Sequence, residues 1–365
     1  MIRLRGKGWR NQAPYSDETL LSLLVVAIAF IFLPFKLCAK MKKGWPEEIS
    51  VVQYDASVDK SKQSMLVYLA KSEEIRPLLV GLHTWSGTYK QAGGETVYAR
   101  WCIEQDWHFI HPDFRGPNWT ADACGSDKVV QDILDAVKYM QIRHKVDPNR
   151  IYLVGVSGGG YASLLMAGRA PKIWAGVSAW VPISDIYQWW KQTDEGRYSK
   201  YARYIEKVVG ARPDQNNKAR QECRRRSAVT YLKHAKEVNL DINGGVTDGH
   251  DGGSVPFTHS LYAFNEVVPQ SHRIRRKQIE EFYKNQSLPE GLEKAREDPV
   301  YGKKEVVFRK TYKNTRVSIF QGGHEIIHNA ALNWLASQRK GEPAKWEVQP
   351  LHDLGTNEKE SESGK

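Results

Sequence analysis

Cysteine is scarce in this chain, with four residues in 365. One of them, Cys38, lies in a hydrophobic segment, so at most one disulfide bridge can join two of Cys102, Cys124 and Cys223. That number is too small for a disulfide framework. No C-x-x-C pair is present to suggest zinc, and the chain has no internal repeat. The composition, 41% hydrophobic and 26% charged, is that of an ordinary globular protein.

Basic residues are in excess, but they are not arranged for nucleic acid. The net charge is +11 and the isoelectric point about 9.3, which favours contact with anionic surfaces. No Lys/Arg block alternates with aromatic residues, as a nucleic-acid groove would require. A run of three arginines, Arg224 to Arg226, lies in a helix-like insert. We therefore predict no nucleic-acid partner.

The N-terminus resembles a targeting segment. Four basic residues within the first ten precede an apolar run from Leu20 to Phe35. The run is short for a membrane span and long for a signal-peptide core. Leu37 and Ala39 would suit a cleavage site, whereas the lysines just beyond them favour an uncleaved anchor. We predict that residues 1–45 are a signal peptide or membrane anchor. The protein is then exported to the cell envelope, periplasm or extracellular space, and an uncleaved segment would associate it with the membrane.

Alternating strand and helix patterns begin near Ile49 and predict an α/β fold, a mostly parallel sheet flanked by helices. The predicted strands are 64–70, 77–82, 107–114, 151–156, 175–181 and 238–242, followed by a strand pair that ends at residue 321. The predicted helices are 126–144 and 159–170, with a turn at 147–149. One domain, 46–339, would carry a helical cap insert at about 185–236 and a second charged insert at 271–304. The polar end, 340–365, is predicted to be disordered.

The sequence from Gly155 to Gly159 is G-x-S-x-G, with Ser157 at its centre. It stands between an apolar strand and a helix rich in alanine and leucine, which is the context of a nucleophile elbow. Glycines are needed there because the serine occupies a strained turn against neighbouring backbone. The Gly158 amide, at the helix start, is the predicted first donor of an oxyanion hole. The alternative is a glycine-rich turn with a bystander serine.

A serine nucleophile needs a base, and His324 follows a late strand and two glycines at the start of a predicted amphipathic helix. The same histidine begins an H-E-x-x-H sequence that ends at His328, the pattern of a zinc protease. That motif belongs inside a long helix, whereas two glycines directly precede His324. We therefore predict a serine enzyme with neither metal nor organic cofactor, and keep the zinc protease as a remote alternative.

The acid of the triad is predicted on the loop after the strand at 238–242. Asp248 and Asp251 both lie on this loop, and Asp248 is preferred because it is nearer the strand end. Asp241, inside the strand, is predicted to be structural. The second oxyanion donor should come from the loop after the strand that ends at Leu82, as the amide of Thr84 or Trp85.

These motifs together resemble the catalytic domain of the prolyl oligopeptidase family, which has the α/β-hydrolase fold. The resemblance covers about residues 80–335 and rests on four runs: G-V-S-G-G-G-Y at 155–161, D-F-R-G at 113–116, G-x-x-D at 245–248 before Val255 and Pro256, and G-G-H at 322–324. It implies a triad of Ser157, Asp248 and His324. The spacer from Asp248 to Val255 is longer than in the family. The propeller of its proline-specific peptidases has no counterpart here, so proline specificity is not implied.

The sequence thus predicts a serine hydrolase that cleaves a peptide or ester bond. One expectation is a prolyl-oligopeptidase-like peptidase acting on short peptides. The other is an esterase acting on acylated sugars, since the insert is rich in aromatic residues and Trp85 and Trp119 lie in loops near the predicted site. Aromatic rings could form platforms for sugars, or they could simply pack the cap onto the sheet.

Overall fold

A nine-stranded, mostly parallel sheet is the centre of the computed structural model, which describes residues 44–349. The strands of this part of the chain are β1 Ser50–Asp55, β2 Lys62–Tyr68, β3 Arg76–Leu82, β4 His108–Pro112, β5 Val146–Val156, β6 Gly176–Trp180, β7 Leu240–Gly245, β8 Val306–Tyr312 and β9 Thr315–Phe320. Their order is β1-β2-β4-β3-β5-β6-β7-β9-β8. The six central strands are parallel, while β2 and β8 run antiparallel to their neighbours. The carboxyl ends of the central strands therefore share one edge of the sheet.

Helices cover both faces of this sheet. Within residues 44–349 the α-helices are α1 Glu95–Gln105, α2 Asp127–Arg143, α3 Gly158–Arg169, α4 Ile186–Thr193, α5 Ser199–Val209, α6 Asn217–Arg226, α7 Thr258–Val267, α8 Arg276–Asn285 and α9 His328–Ser337. Short 3-10 segments lie at Gly196–Tyr198, Ala228–Thr230, Leu232–His234, Gln270–His272 and Pro299–Tyr301. Helices α1 and α9 pack in one apolar cluster, and α2, α3 and α7 pack in the other. The central strands are buried on both faces along most of their length, as strands of a parallel sheet covered by helices are.

The predicted fold class, an α/β-hydrolase with a mostly parallel sheet and a cap insert, is confirmed. Helix α2 lies where apolar residues recur at helical spacing, and Ser126 caps it by accepting from the Val129 amide at 3.3 Å. Two details were wrong. The predicted turn at 147–149 is part of β5, because Val146 already pairs with Arg76. The last helix begins at His328, four residues after His324, so His324 lies in a loop.

The cap insert consists of α4, α5 and α6 with the 3-10 segments that accompany them. Its apolar residues form a cluster of their own that includes Trp85 and Tyr161 from the sheet domain. Arg226, at the end of α6, donates to the carbonyls of Ala123 at 2.9 Å and Cys124 at 3.1 Å. Tyr161 in turn donates to the Arg226 carbonyl at 2.7 Å. Arg226, the last of the three arginines at 224–226, therefore attaches the cap insert to the sheet domain.

The predicted N-terminal targeting segment lies outside the described residues, apart from its last two positions. Within residues 44–349, no helix has the length and apolar character needed to cross a membrane. Residues 340–349, which composition placed in a disordered tail, contact the domain instead. Trp346 stacks on Trp334 with ring centroids 5.4 Å apart, and its carbonyl accepts from Arg316 at 3.3 Å. Cys102, Cys124 and Cys223 are buried free thiols.

Candidate active site

Ser157 lies at the point where β5 turns into α3. Its backbone has φ 59° and ψ −119°, a conformation that a residue with a side chain rarely adopts. The turn is held at both sides, because the Ser157 amide donates to Trp180 at 2.9 Å and its carbonyl accepts from Tyr161 at 2.8 Å. A Cβ at Gly155 would overlap the backbone of Gly159. The glycines of the G-x-S-x-G sequence are therefore required by close backbone approach.

Asp248 and His324 form a hydrogen-bonded pair at the same edge of the sheet. His324 Nδ1 donates to Asp248 Oδ2 at 2.6 Å. The other carboxylate oxygen accepts from the Val255 amide at 3.0 Å. Asp248 is fully buried, and 24% of the His324 side chain remains exposed. Burial raises the pKa of Asp248, and the hydrogen bond from His324 opposes that effect.

The alternative acid, Asp251, is exposed to solvent at the tip of the same loop. The residues around it bind the two site loops together. The His324 amide donates to the Gly252 carbonyl at 2.9 Å, and the Thr247 amide donates to Gly322 at 3.0 Å. A Cβ at Gly253 would overlap Asp248 and press on His324. The long spacer between Asp248 and Val255 thus folds back onto the Asp–His pair.

Ser157 follows β5, and the Asp–His pair follows β7 and β9, so all three residues lie at the carboxyl edge of parallel strands. Within residues 44–349 the Ser157 hydroxyl has no hydrogen-bond partner. Such bonds are often long in enzymes without substrate and shorten in the complex. The structure therefore brings the predicted acid and base into direct contact, and places the predicted nucleophile on the same edge of the sheet.

The two amides predicted for the oxyanion hole differ in availability. The Thr84 amide donates to Gln91 Oε1 at 3.1 Å and is therefore occupied. The Trp85 amide makes no hydrogen bond within the described residues and lies against Gly158, where a Cβ would overlap it. Gly158 is the first residue of α3, where amides lack partners within the helix. Trp85 and Gly158 can therefore both donate to one anionic oxygen.

Trp85 is itself held from the other side. Its carbonyl accepts from the Asn118 amide at 2.8 Å. Its ring lies 4.7 Å from that of Trp189 in the cap, and Trp189 donates to the carbonyl of Ser254 at 2.9 Å. Ser254 lies on the loop between β7 and α7, residues 246–257, which carries Asp248 and is called the acid loop below. The loop after β3 that carries Thr84 and Trp85, called the oxyanion loop below, is thus connected to the cap and the acid loop through Trp189.

The aromatic residues of the cap, together with Trp119 from the loop before α2, divide into two groups. Trp189 and Trp190 are buried at 1% and 2% exposure, as packing of the cap requires. Trp119, Tyr201 and Tyr204 are only partly buried. The rings of Trp119 and Tyr204 lie 5.0 Å apart, and Tyr201 lies 6.5 Å from Trp85. The half-exposed group therefore offers ring surface beside the oxyanion loop.

The H-E-x-x-H sequence does not have the geometry of a zinc protease. Such a motif needs both histidines one turn apart on one helix, but α9 begins only at His328. His324 is bonded to Asp248, while His328 Nε2 donates to the Gly94 carbonyl at 2.9 Å. Burial lowers the pKa of His328 to about 4. Glu325 instead accepts from the Gly323 amide at 3.1 Å and pairs with Lys304 at 2.9 Å. Among the described residues, no group of three or more His, Cys, Asp or Glu side chains could hold a metal ion.

The model of the prolyl oligopeptidase family matches residues 107–273. The predicted resemblance to this family is confirmed. The match contains Ser157 and Asp248, and His324 and the Trp85 loop lie outside it. The match covers less than half of the chain and is a resemblance to the family. No curated protein sequence matches the chain.

Solved structures of similar fold include peptidases and esterases. The acylaminoacyl peptidase of Pyrococcus horikoshii is 15% identical, with a TM-score of 0.46 over 60% of this chain and 35% of its own. The acetyl xylan esterase of Paenibacillus sp. R4 is 18% identical, with a TM-score of 0.48 over 71% of this chain and 87% of its own. The chain thus spans about a third of the acylaminoacyl peptidase.

Proposed function

We propose that this serine hydrolase cleaves acyl bonds through a triad of Ser157, His324 and Asp248. The observation that carries the proposal is the 2.6 Å Asp248–His324 pair at the sheet edge that also bears a strained serine. Buried carboxylate, half-exposed imidazole and elbow serine are the three parts that acyl transfer needs.

In this mechanism the Ser157 hydroxyl attacks the substrate carbonyl and passes its proton to His324 Nε2. Asp248 accepts from Nδ1, so it fixes the tautomer and stabilises the imidazolium. The Gly158 and Trp85 amides donate to the oxygen as it becomes negative. His324 then returns the proton to the leaving group, and a water molecule activated by the same histidine hydrolyses the acyl-enzyme.

Two substrate classes follow from different observations. The family match supports a prolyl-oligopeptidase-type peptidase acting on short peptides. The half-exposed rings of Trp119, Tyr201 and Tyr204 beside the oxyanion loop support an esterase acting on acylated sugars, because sugar rings pack on aromatic faces. Both reactions would use the same triad. We further propose that the protein is exported, as its N-terminal sequence suggests.

A fluorophosphonate probe tests the mechanism. The wild-type protein should be labelled at Ser157, and Ser157→Ala should lose both labelling and turnover. His328→Ala separates the serine mechanism from a zinc protease, because it would be fatal only to the latter. Activity that ignores the probe but disappears with a chelator would overturn the proposal.

A further inference from the structure

A chain of side-chain hydrogen bonds connects the oxyanion loop to the start of α1. The Thr84 amide and hydroxyl both donate to Gln91 Oε1, at 3.1 Å and 3.0 Å. Gln91 Nε2 then donates to Glu95 Oε1 at 2.8 Å. An amide proton must face an acceptor, so the Thr84 N–H fixes which end of the Gln91 amide points to the loop. The other end is a donor, and the Glu95 carboxylate accepts from it.

The loop is folded so that Gln91 reaches Thr84. The Gly87 amide donates to the Thr84 carbonyl at 3.1 Å, and the Gln91 amide donates to Thr88 at 3.0 Å. A Cβ at Gly87 would overlap Gln91 Oε1, so this glycine leaves the space that the amide group fills. The two turns and Gly87 thus place the Gln91 side chain against Thr84, the residue before Trp85.

Burying the Glu95 side chain at the start of α1 is energetically unfavourable. Glu95 is 1% exposed, and its second oxygen, Oε2, is buried with no hydrogen-bond partner among the described residues. The described residues also offer it no ion pair, and burial raises its pKa to about 7. A buried carboxylate with one unsatisfied oxygen weakens a fold. Residues that break local rules in this way tend to serve a function.

We infer that Gln91, oriented by Glu95, is a positioning residue for the oxyanion hole. By holding the Thr84 amide, it removes that donor from the site and sets the orientation of the next peptide, whose N–H belongs to Trp85. Trp85 is then fixed on both sides, by Gln91 through Thr84 and by Asn118 at its own carbonyl. The inference rests on the proposed function, because it assumes that the Trp85 amide binds the developing oxyanion.

The test compares steady-state kinetics of the full chain and its Gln91→Met variant on a short activated ester. A displaced oxyanion donor weakens binding of the transition state but not of the ground state. We expect kcat to fall by about 10- to 100-fold while KM stays within about threefold. The rate of fluorophosphonate labelling at Ser157 should fall with kcat. The matched control is Gln131→Met, since Gln131 also donates to a carboxylate four residues on, Asp135, at 2.9 Å.

Exchange of the two residues provides a rescue. Gln91→Glu alone sets two carboxylates against each other and should lower kcat. Gln91→Glu combined with Glu95→Gln restores an acceptor toward Thr84 and a donor–acceptor bond below it. The double variant should return to within about threefold of wild type. Because the double variant keeps these hydrogen bonds, it still tests the inference if Gln91→Met fails to fold.

Two results would overturn the inference: a folded Gln91→Met variant with kcat within about twofold of wild type, or a double variant no better than Gln91→Glu. If Ser157 remains the labelled nucleophile in those experiments, only the role of Gln91 fails. If Ser157 is not labelled even in the wild type, the proposed function fails first.

Discussion

Asp248 and Asp251 lie three residues apart on one loop, but their surroundings are opposite. Asp248 is buried with both oxygens engaged, by His324 and by the Val255 amide, whereas Asp251 is exposed. The sequence could rank them only by distance from the strand end. The loop folds back between them, so that Asp248 faces the interior and Asp251 faces solvent.

Asp248→Asn should therefore lower kcat by about 10⁴-fold, as the equivalent change does in a serine protease, because the imidazole loses its orienting partner. Asp251→Asn should stay within about tenfold, or about 1.4 kcal/mol of barrier. Steady-state kinetics would measure both, with circular dichroism to check folding. Asp248→Asn combined with His324→Ala should be little worse than His324→Ala alone. A dominant effect of Asp251 would contradict the assignment of the acid.

Not every residue of the candidate site could be found in the sequence. Ser157 and His324 stand out because glycines beside them reflect backbone positions that exclude side chains. Gln91 and Glu95 have no such mark, since their role depends on how the loop after β3 folds back. The D-F-R-G run, which contributed to the family resemblance, does contact this loop. Its Asp113 Oδ1 accepts from the Tyr89 amide at 3.0 Å and so helps to hold the loop in place.

Elements with a clear period were predicted, and those without one were not. Strand β3 and helix α2 follow from their apolar patterns. Helix α1 was not predicted, because its buried side mixes polar residues with apolar ones. It includes Glu95 and Thr96 as well as Tyr98 and Trp101. No helix was predicted in the second charged insert, yet its helix α8 contacts the loop that carries Asp248. Tyr283 of α8 donates to the Gly249 carbonyl at 2.6 Å, and its ring stacks on His250.

The cap offers a prediction about substrate. If the half-exposed rings bind sugars, Trp119→Leu should lower kcat/KM on an acetylated oligosaccharide by about tenfold, the size of one well-placed aromatic contact. It should leave p-nitrophenyl acetate nearly unchanged, since that ester is too small to reach the ring. Tyr139→Leu is the control, because Tyr139 is a half-exposed aromatic residue of α2 that packs on Tyr54.

In the same assays we expect short activated esters to be hydrolysed faster than any peptide, because within residues 44–349 we identify no element that would hold an extended peptide. Efficient cleavage after proline, with esters as poor substrates, would contradict this expectation and favour the peptidase.

At the scale of the whole molecule, Glu95 should make the free energy of unfolding depend on pH. Its pKa is raised from 4.5 to about 7 by burial, so the folded protein holds this proton more tightly than the unfolded chain. The stability that the protonated form contributes is complete below pH 4.5 and is lost as the pH rises through 7. The loss is of the order of 3 kcal/mol, at 1.36 kcal/mol per pKa unit. Burial raises the pKa of Tyr98 and lowers the pKa of His328 to about 4, so both side chains are neutral between pH 5 and pH 8.

Glu95→Gln should remove that dependence. Urea denaturation at pH 5 and pH 8 would measure it: the free energy of unfolding of the variant should fall less between the two values than that of the wild type. Glu104→Gln is the control, because Glu104 is an exposed carboxylate on the same helix. Parallel curves for wild type and Glu95→Gln would contradict the raised pKa.

The strand order also determines when activity can appear during folding. Strand β9 lies between β7 and β8, and His324 follows β9 near the end of the described chain, whereas Ser157 follows β5 at the centre of the sheet. Contacts between segments so far apart in sequence form slowly. A refolding chain could therefore regain most of its secondary structure while its base is still undocked. Under the proposed mechanism, recovered turnover would then report the insertion of β9. A truncated chain that ends before β9 would keep Ser157 but lack His324, and should have no activity.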